Sequence, residues 1–523
     1  MAHRQRDVLP IRQLDGYSFD RSSVSHSIRK RLCFKNQKVS WANEGISVIN
    51  RIGADFPVAP PDSEPGAASL LAAQNIWSAY KQMPPPQCSS PEGALTELLT
   101  SSGFYSSIRT DVRPYSKESI SWPAQGSRAV ELENHLGVAD RQILINWEST
   151  MLRGQDDYHS YVSQQKSFKP YFDPELADNH STYGDFLTRL HAAGMLRFRA
   201  SHETCGALGI FFVRKKDDSL RLIFDTRKLN MRFKDPPKTE LPTASAMSNI
   251  ESFDSSNVYL GSGDIKNAFY SLKVPDALSD LFTLPRIRAR YLPTSLRASF
   301  EHEDTWVTPC LTVLPMGWNW ALHLCQSFTS NVVKIACPDA SYFSDHSGSR
   351  HLSSPADTLT TCYVDNFCVL GHDPKLVDLQ LSKIHKHFSN LGCIVHEQCP
   401  ASVSAEFVGL NFAHGSFSIK TSRIWRLRFA LQFICRMKHV SGHMLEIVIG
   451  HLTWAMLLRR ESLALLHHVY MFIHTHRHTV HMLTPEVRQE FFLDTNAILP
   501  LLGSDLHRGL GRQVLPLTHI LSP

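Results

Sequence analysis

The chain has 523 residues, 42% hydrophobic and 10% aromatic, which is enough apolar material to bury the cores of two or three domains. A formal net charge of +5 permits contact with nucleic acid but is equally ordinary for a cytosolic enzyme, so charge selects no partner. The 11 cysteines form no CxxC pair and no disulfide-like framework, no run of about 18 apolar residues is present, and no apolar leader follows Met1. These features predict an intracellular protein, cytoplasmic and/or nuclear, without membrane contact.

From residue 1 to about 165, short apolar patches alternate with Pro, Ser and Gly, as in VAPPDSEPGAAS and QMPPPQCSSPEG, and the segment reads as irregular and partly disordered. A folded body is expected from 166 to 420. It opens with a helix capped at Ser181, whose apolar stripe runs through Tyr183, Phe186, Leu187 and Leu190 to a stop at Gly194. Two β-rich runs, Leu208–Arg214 and Leu220–Phe224, joined by KKDDS, predict a hairpin flap with lysines at its tip. A third strand, VYLGSGD, ends on Asp264. TTCYV and FCVLG flank the dipeptide Asp365-Asn366 as a second tight hairpin. Asp373 and Pro374 then start a helix striped by Val377, Leu381, Ile384, Phe388 and Leu391. Beyond Thr421 the chain is helical and basic, with Arg423, Arg426, Arg428, Arg436, Lys438, Arg459 and Arg460 interleaved with Trp425, Phe429, Phe433 and Trp454. The fold class is therefore α+β, with an antiparallel sheet backed by helices and a helical region over 421–523.

Joining a nucleotide to a 3′-hydroxyl calls for two divalent ions about 3.5–4 Å apart, held by oxygen ligands. A carboxylate ending one strand, facing another on an adjacent hairpin turn, supplies such a bridge, since magnesium takes a few carboxylates plus substrate phosphates. Asp264 and Asp365 occupy those places. Either one alone reads more simply as a strand-end or turn aspartate.

The order of several segments separates the readings. RLIFDTRKLN (Arg221 to Asn230), SGDIKNAFY (Ser262 to Tyr270), LPMGWNWALHLCQ (Leu314 to Gln326) and CYVDNFCVL (Cys362 to Leu370) resemble the fingers motif and motifs A, B and C of the reverse transcriptases, in that family's order. NLGCIVHE and AEFVGLNF resemble motifs D and E, so the likeness runs from about Tyr171 to Phe412. It is closest to LTR and tyrosine-recombinase (DIRS-like) retroelements.

The resemblance implies a right-hand polymerase with fingers and palm over 166–420 and a thumb or connection-like region over 421–523. The implied cofactors are two Mg2+ or Mn2+ ions on Asp264, Asp365 and the backbone carbonyl of Ile265. Lys215, Lys216 and Arg221 would close on the incoming triphosphate, and Asp225 with Arg227 would brace the fingers. Phe269 would pack under the sugar and favour dNTPs, while Met316 and Gly317 would let the backbone approach nucleotide and template. Partners would be an RNA or DNA template with its primer, and the oligomeric state is left open. Trp318 and Trp320 are either stacking or core residues. His396 stands near the place of a motif D lysine. The six histidines from His467 to His481 lack a ligand set suited to a metal.

The chain departs from the family at Asn366, where a second aspartate is usual. Asparagine offers an oxygen without charge and tolerates the positive φ of a tight turn. With two insertions, Arg286 to Asp304 and Cys337 to Asp357, and no RNase H segment, Asn366 keeps a second reading open: a catalytically degenerate relative that binds nucleic acid. An RNA-dependent RNA polymerase is disfavoured by Phe269 and the fingers motif.

Overall fold

The computed structural model describes residues 15–16, parts of 28–46, 74, 78, 81, 90–100, 112–120, 122, 129–165, 169–200, 207–215, 218–254, 257–348, 350–495, 499 and 502–505. Residues 108–242 and 258–408 form one compact unit, and residues 1–107, 243–257 and 409–523 form another. Within the span read as irregular, most of 1–89 lies outside the described residues. Residues 138–163 are largely helical and belong to the first unit, beginning with α1 (Val138–Ile145).

In the first unit, α2 (His180–Ala192) buries the expected stripe of Tyr183, Phe186, Leu187 and Leu190. Its cap is Asn179 rather than Ser181: the Asn179 side chain accepts from the Thr182 N–H at 3.0 Å. The helix stops where Gly194 takes φ +72°, a conformation glycine adopts without a Cβ penalty. β1 (Leu196–Ala200) follows. The expected flap is present as β2 (Gly209–Arg214) paired antiparallel with β3 (Leu220–Asp225). Asp225, buried, accepts from the Tyr171 N–H at 2.8 Å and from the Arg227 guanidinium at 2.8 and 2.7 Å, so the expected brace exists as a bidentate pair.

The central sheet is built from β4 (Tyr259–Ile265), β6 (Thr358–Tyr363), β7 (Asn366–Gly371) and β8 (Val395–Ser402); β5 (Trp306–Leu311) pairs with β1 elsewhere. Its order is β6-β7-β4-β8, with the short strand Ser341–Tyr342 added in parallel to β6. β4, distant in sequence, is thus inserted between β7 and β8. Two long helices pack on it, α3 (Ala321–Ala336) and α4 (Pro374–Asn390), the latter started by Asp373, whose side chain accepts from the Lys375 N–H. Gly261 and Gly263 make that packing close: a Cβ at Gly261 would meet Leu381 at 2.4 Å, and one at Gly263 would meet the Phe367 ring at 2.6 Å. Phe328, Phe367 and Phe388 cluster there with ring centroids 5.6 and 6.1 Å apart, each fully buried ring contributing about 1.5–3 kcal/mol. Both insertions contribute strands: Ile287–Arg288 pairs with β5, and Ser341–Tyr342 joins the central sheet.

In the second unit, the hairpin β9 (Leu410–Ala413) and β10 (Ser416–Ile419) precedes four helices, α5 (Thr421–Arg436), α6 (Gly442–Met456), α7 (His467–His476) and α8 (Pro485–Leu493). Much of the basic character expected of this region is used internally. Arg426 pairs with Glu97 at 2.7 Å, Arg423 lies 4.1 Å over the Trp454 ring, and Arg428 and Trp425 are buried. Glu490 receives the His468 and Val469 N–H groups, capping the start of α7. Among the described residues no set of three His, Cys, Asp or Glu side chains converges as a metal site, and no helix is long and apolar enough to cross a membrane.

The flap is set close to the segment before it. A Cβ at Gly209 would lie 2.0 Å from the Tyr171 carbonyl oxygen and 2.8 Å from Asp225 Cβ, and backbone cannot yield as a flexible side chain would. Gly209→Ala is expected to cost roughly 3 kcal/mol of stability, read as a lower denaturation midpoint at unchanged m-value.

Candidate polymerase site

Asp264 sits one residue from the end of β4, in a row that crosses three strands. It is in register with Asn366 of β7 on one side and with His396 of β8 on the other. The Ile265 N–H donates to the Asp365 carbonyl at 2.9 Å, which fixes Asp365 beside the same strand end. Strand alternation places Gly261, Gly263 and Ile265 toward the helices and Ser262 and Asp264 on the opposite face.

The turn carrying Asp365 differs from expectation. Its two loop residues are Val364 and Asp365, while Asn366 already lies in β7, paired with Tyr363. The positive φ belongs to Val364, at +56°, and Asn366 has none. A β-branched residue in that region is strained by about 1–3 kcal/mol and persists only where its surroundings hold it. Gln326, buried on α3, does so: its Oε1 accepts from the Val364 N–H at 2.6 Å and its Nε2 donates to the Cys362 carbonyl at 3.0 Å.

Burial, reinforced by Asp365 and Glu397, pushes the Asp264 carboxyl up to about 8, against the opposing pull of Arg221 and Lys215. Asp365 is also raised, again chiefly by burial; its own N–H, the Asn366 amide, Arg221 and His396 work the other way. Asn366 Nδ2 donates to Asp365 Oδ1 at 2.9 Å, and His396 Nδ1 lies 3.0 Å from Asp264 Oδ1. Two crowded, poorly hydrated carboxylates form a donor set that suits a hard divalent cation, with oxygen donors from substrate completing the shell. The residues therefore fit the expected metal.

Two of the other expected residues act on this site. Arg221 on β3 and Lys215 at the flap tip act electrostatically on Asp264, whereas Lys216 lies outside the described residues. Gly317 takes φ +115°, and its would-be Cβ lies 2.7 Å from the Phe224 carbonyl oxygen, so only glycine fits between motif B and the flap. Phe224 N–H reaches the Met316 carbonyl at 3.4 Å, and the Asn230 side chain bridges Gly317 O and Asn319 N. Phe269 is half-buried on a 3₁₀ turn entered through Asn267 at φ +54°, next to Tyr270, whose hydroxyl donates to Leu222 O at 2.6 Å. Trp318 and Trp320 are core residues: Trp318 packs against Phe233 and Phe282, and Trp320 donates to Lys234 O at 2.8 Å. Sequence reasoning missed the role of Gln326. The signal was a valine at the apex of a two-residue loop, which demands an external clamp.

Residues 213–412 match the family described as "Reverse transcriptase (RNA-dependent DNA polymerase)". The chain thus carries a reverse transcriptase domain, and the α+β sheet with its flap is the palm and fingers of that fold. Among solved structures, the chain is similar to the foamy viral protease-reverse transcriptase dRH in complex with ds DNA, at 13% identity and a TM-score of 0.43. That likeness covers 72% of this chain and 60% of the other, an overlap too loose to carry residue roles across. No curated protein matches the chain.

Replacing Gln326 with alanine would leave the Val364 N–H and Cys362 carbonyl buried and unpaired. Gln326→Ala is expected to lose roughly 2–4 kcal/mol of stability by chemical denaturation.

Proposed function

We propose that the protein is an RNA-dependent DNA polymerase of a retrotransposon, extending a primer with dNTPs on an RNA or DNA template, within the cytoplasm and/or nucleus. The observation that carries this reading is the strand register placing Asp264 beside Asp365 at one end of β4 and β7, inside the segment that matches the family. Two divalent ions, Mg2+ or Mn2+, held by Asp264, Asp365 and the Ile265 carbonyl, would activate the primer 3′-hydroxyl and steady the pyrophosphate. Lys215, Lys216 and Arg221 bind the triphosphate, where fixed cations are worth most as charge builds on phosphoryl oxygens. Phe269 lies under the sugar and excludes a 2′-hydroxyl, and the Met316-Gly317 turn gives the nascent base pair room. The segment 421–523 serves as the thumb, and 166–420 as fingers and palm.

A second reading, a degenerate nucleic-acid-binding relative, is favoured by one observation: Asn366 supplies an amide to Asp365 where a third carboxylate would stand. Primer extension on an RNA template in Mg2+ and in Mn2+ decides between them. The expected result is dNTP incorporation that Asp264→Ala abolishes, with Phe269→Ala raising rNTP use at least about ten-fold, the equivalent of 1.4 kcal/mol of lost discrimination. Template binding without extension in either metal would establish the second reading instead.

A further inference from the structure

The second sheet of the first unit carries a surface that the polymerase site does not use. β5 is its middle strand, with β1 on one side and Ile287–Arg288 on the other. The register pairs Arg197 with Cys310, Arg199 with Thr308 and Arg288 with Trp306, and paired residues share a face, so Arg197, Arg199, Arg288 and Trp306 project from one side. Trp306 is 36% exposed, an unusual outlay of indole to solvent. Its ring is overlaid by Arg288 at 4.1 Å and approached by Arg286 at 5.3 Å.

The charges on this face do not cancel. Arg197 and Arg199 share one carboxylate, Asp280. Arg288 donates to the Asp304 backbone carbonyl, which neutralises nothing, and the nearby acids Asp304 and Glu303 are engaged by Arg290 at 2.9 Å and Arg297 at 2.8 Å. An indole and guanidinium cluster set in excess positive charge, with Thr308 and Cys310 of the same face buried, fits a polyanion that also presents unpaired rings. We propose that this face holds single-stranded nucleic acid, with Arg197, Arg199, Arg286 and Arg288 tracking phosphates and Trp306 with its stacked guanidinium supporting an unpaired base. The inference deepens the polymerase reading, on which it rests, by giving the unpaired template a second foothold away from Asp264. A duplex buries its base faces and would gain only the charge.

The test is fluorescence anisotropy of the full-length protein with a labelled single-stranded oligonucleotide and with a blunt duplex, across a salt series. Trp306→Ala is expected to weaken single-strand binding ~10-fold and duplex binding little. The double variant Arg286→Gln, Arg288→Gln should flatten the single-strand salt slope by about 1.4, from ~0.7 per phosphate contact. Trp306→Phe and the double variant Arg286→Lys, Arg288→Lys should retain most of the affinity, which separates lost contacts from lost folding. Unchanged single-strand affinity, or equal losses for strand and duplex, would overturn the proposal. Primer extension run alongside keeps the two readings apart: a wild type that extends while the variants bind normally sinks this inference alone, and a wild type that binds but never extends sinks the polymerase.

Discussion

The site depends on a hairpin apex that its own sequence disfavours. Val364 is held in the left-handed region, and the two bonds from Gln326 on α3, with the Ile265 N–H reaching across from β4, keep it there. Relaxing Val364 would rotate the following peptide and carry Asp365 away from Asp264. The strain is therefore coupled to position: helix, hairpin and central strand each fix one side of a two-residue loop, and none alone would suffice. The glycines of β4 belong to the same device, because a side chain at 261 or 263 would push the helix or the Phe367 ring away from the sheet that carries the loop.

Electrostatics follows from that geometry. The sheet brings Asp264 and Asp365 together in a poorly hydrated place, with Glu397 nearby, and Arg221 and Lys215 compensate only in part. A bound cation would meet the demand for positive charge that this leaves. Asn366 moderates it. Its amide satisfies one Asp365 oxygen, so the substitution removes a charge from the site without leaving the remaining carboxylate unsolvated.

What the sequence disclosed is what local patterning controls. The apolar stripe of α4, the two β-rich runs of the flap and the strand ending on Asp264 each announce themselves within a dozen residues, and the ordered motifs assemble them. What stayed hidden depends on partners far along the chain. The loop was read one residue late, because the dipeptide Asp365-Asn366 has better turn chemistry than Val364-Asp365, and the bonds from buried Gln326 and from the Ile265 N–H reverse that preference. Residues 138–163 look irregular because their helices are short and weakly amphipathic, and α1 is fixed instead by Asp140, which accepts from Ser327 and His323 on α3. The region after Thr421 read as helical and basic, yet Arg423, Arg426 and Arg428 are spent on Trp454, Glu97 and the interior. The face made by Arg197 and Arg199 of β1, Arg288 of the strand Ile287–Arg288 and Trp306 of β5 was invisible for the same reason, since its members are drawn from strands up to about a hundred residues apart.

The central claim is that Asp264 and Asp365 form a cation site held together at the cost of mutual repulsion. Thermal unfolding of the wild type and of Asp264→Asn, with Mg2+ or Mn2+ titrated into metal-free protein, addresses it without requiring catalysis. The account predicts that Asp264→Asn unfolds roughly 2–5 °C above the wild type when metal is absent, and that added metal raises the wild type alone. A wild type indifferent to both metals, or a variant stabilised by them to the same degree, would contradict it.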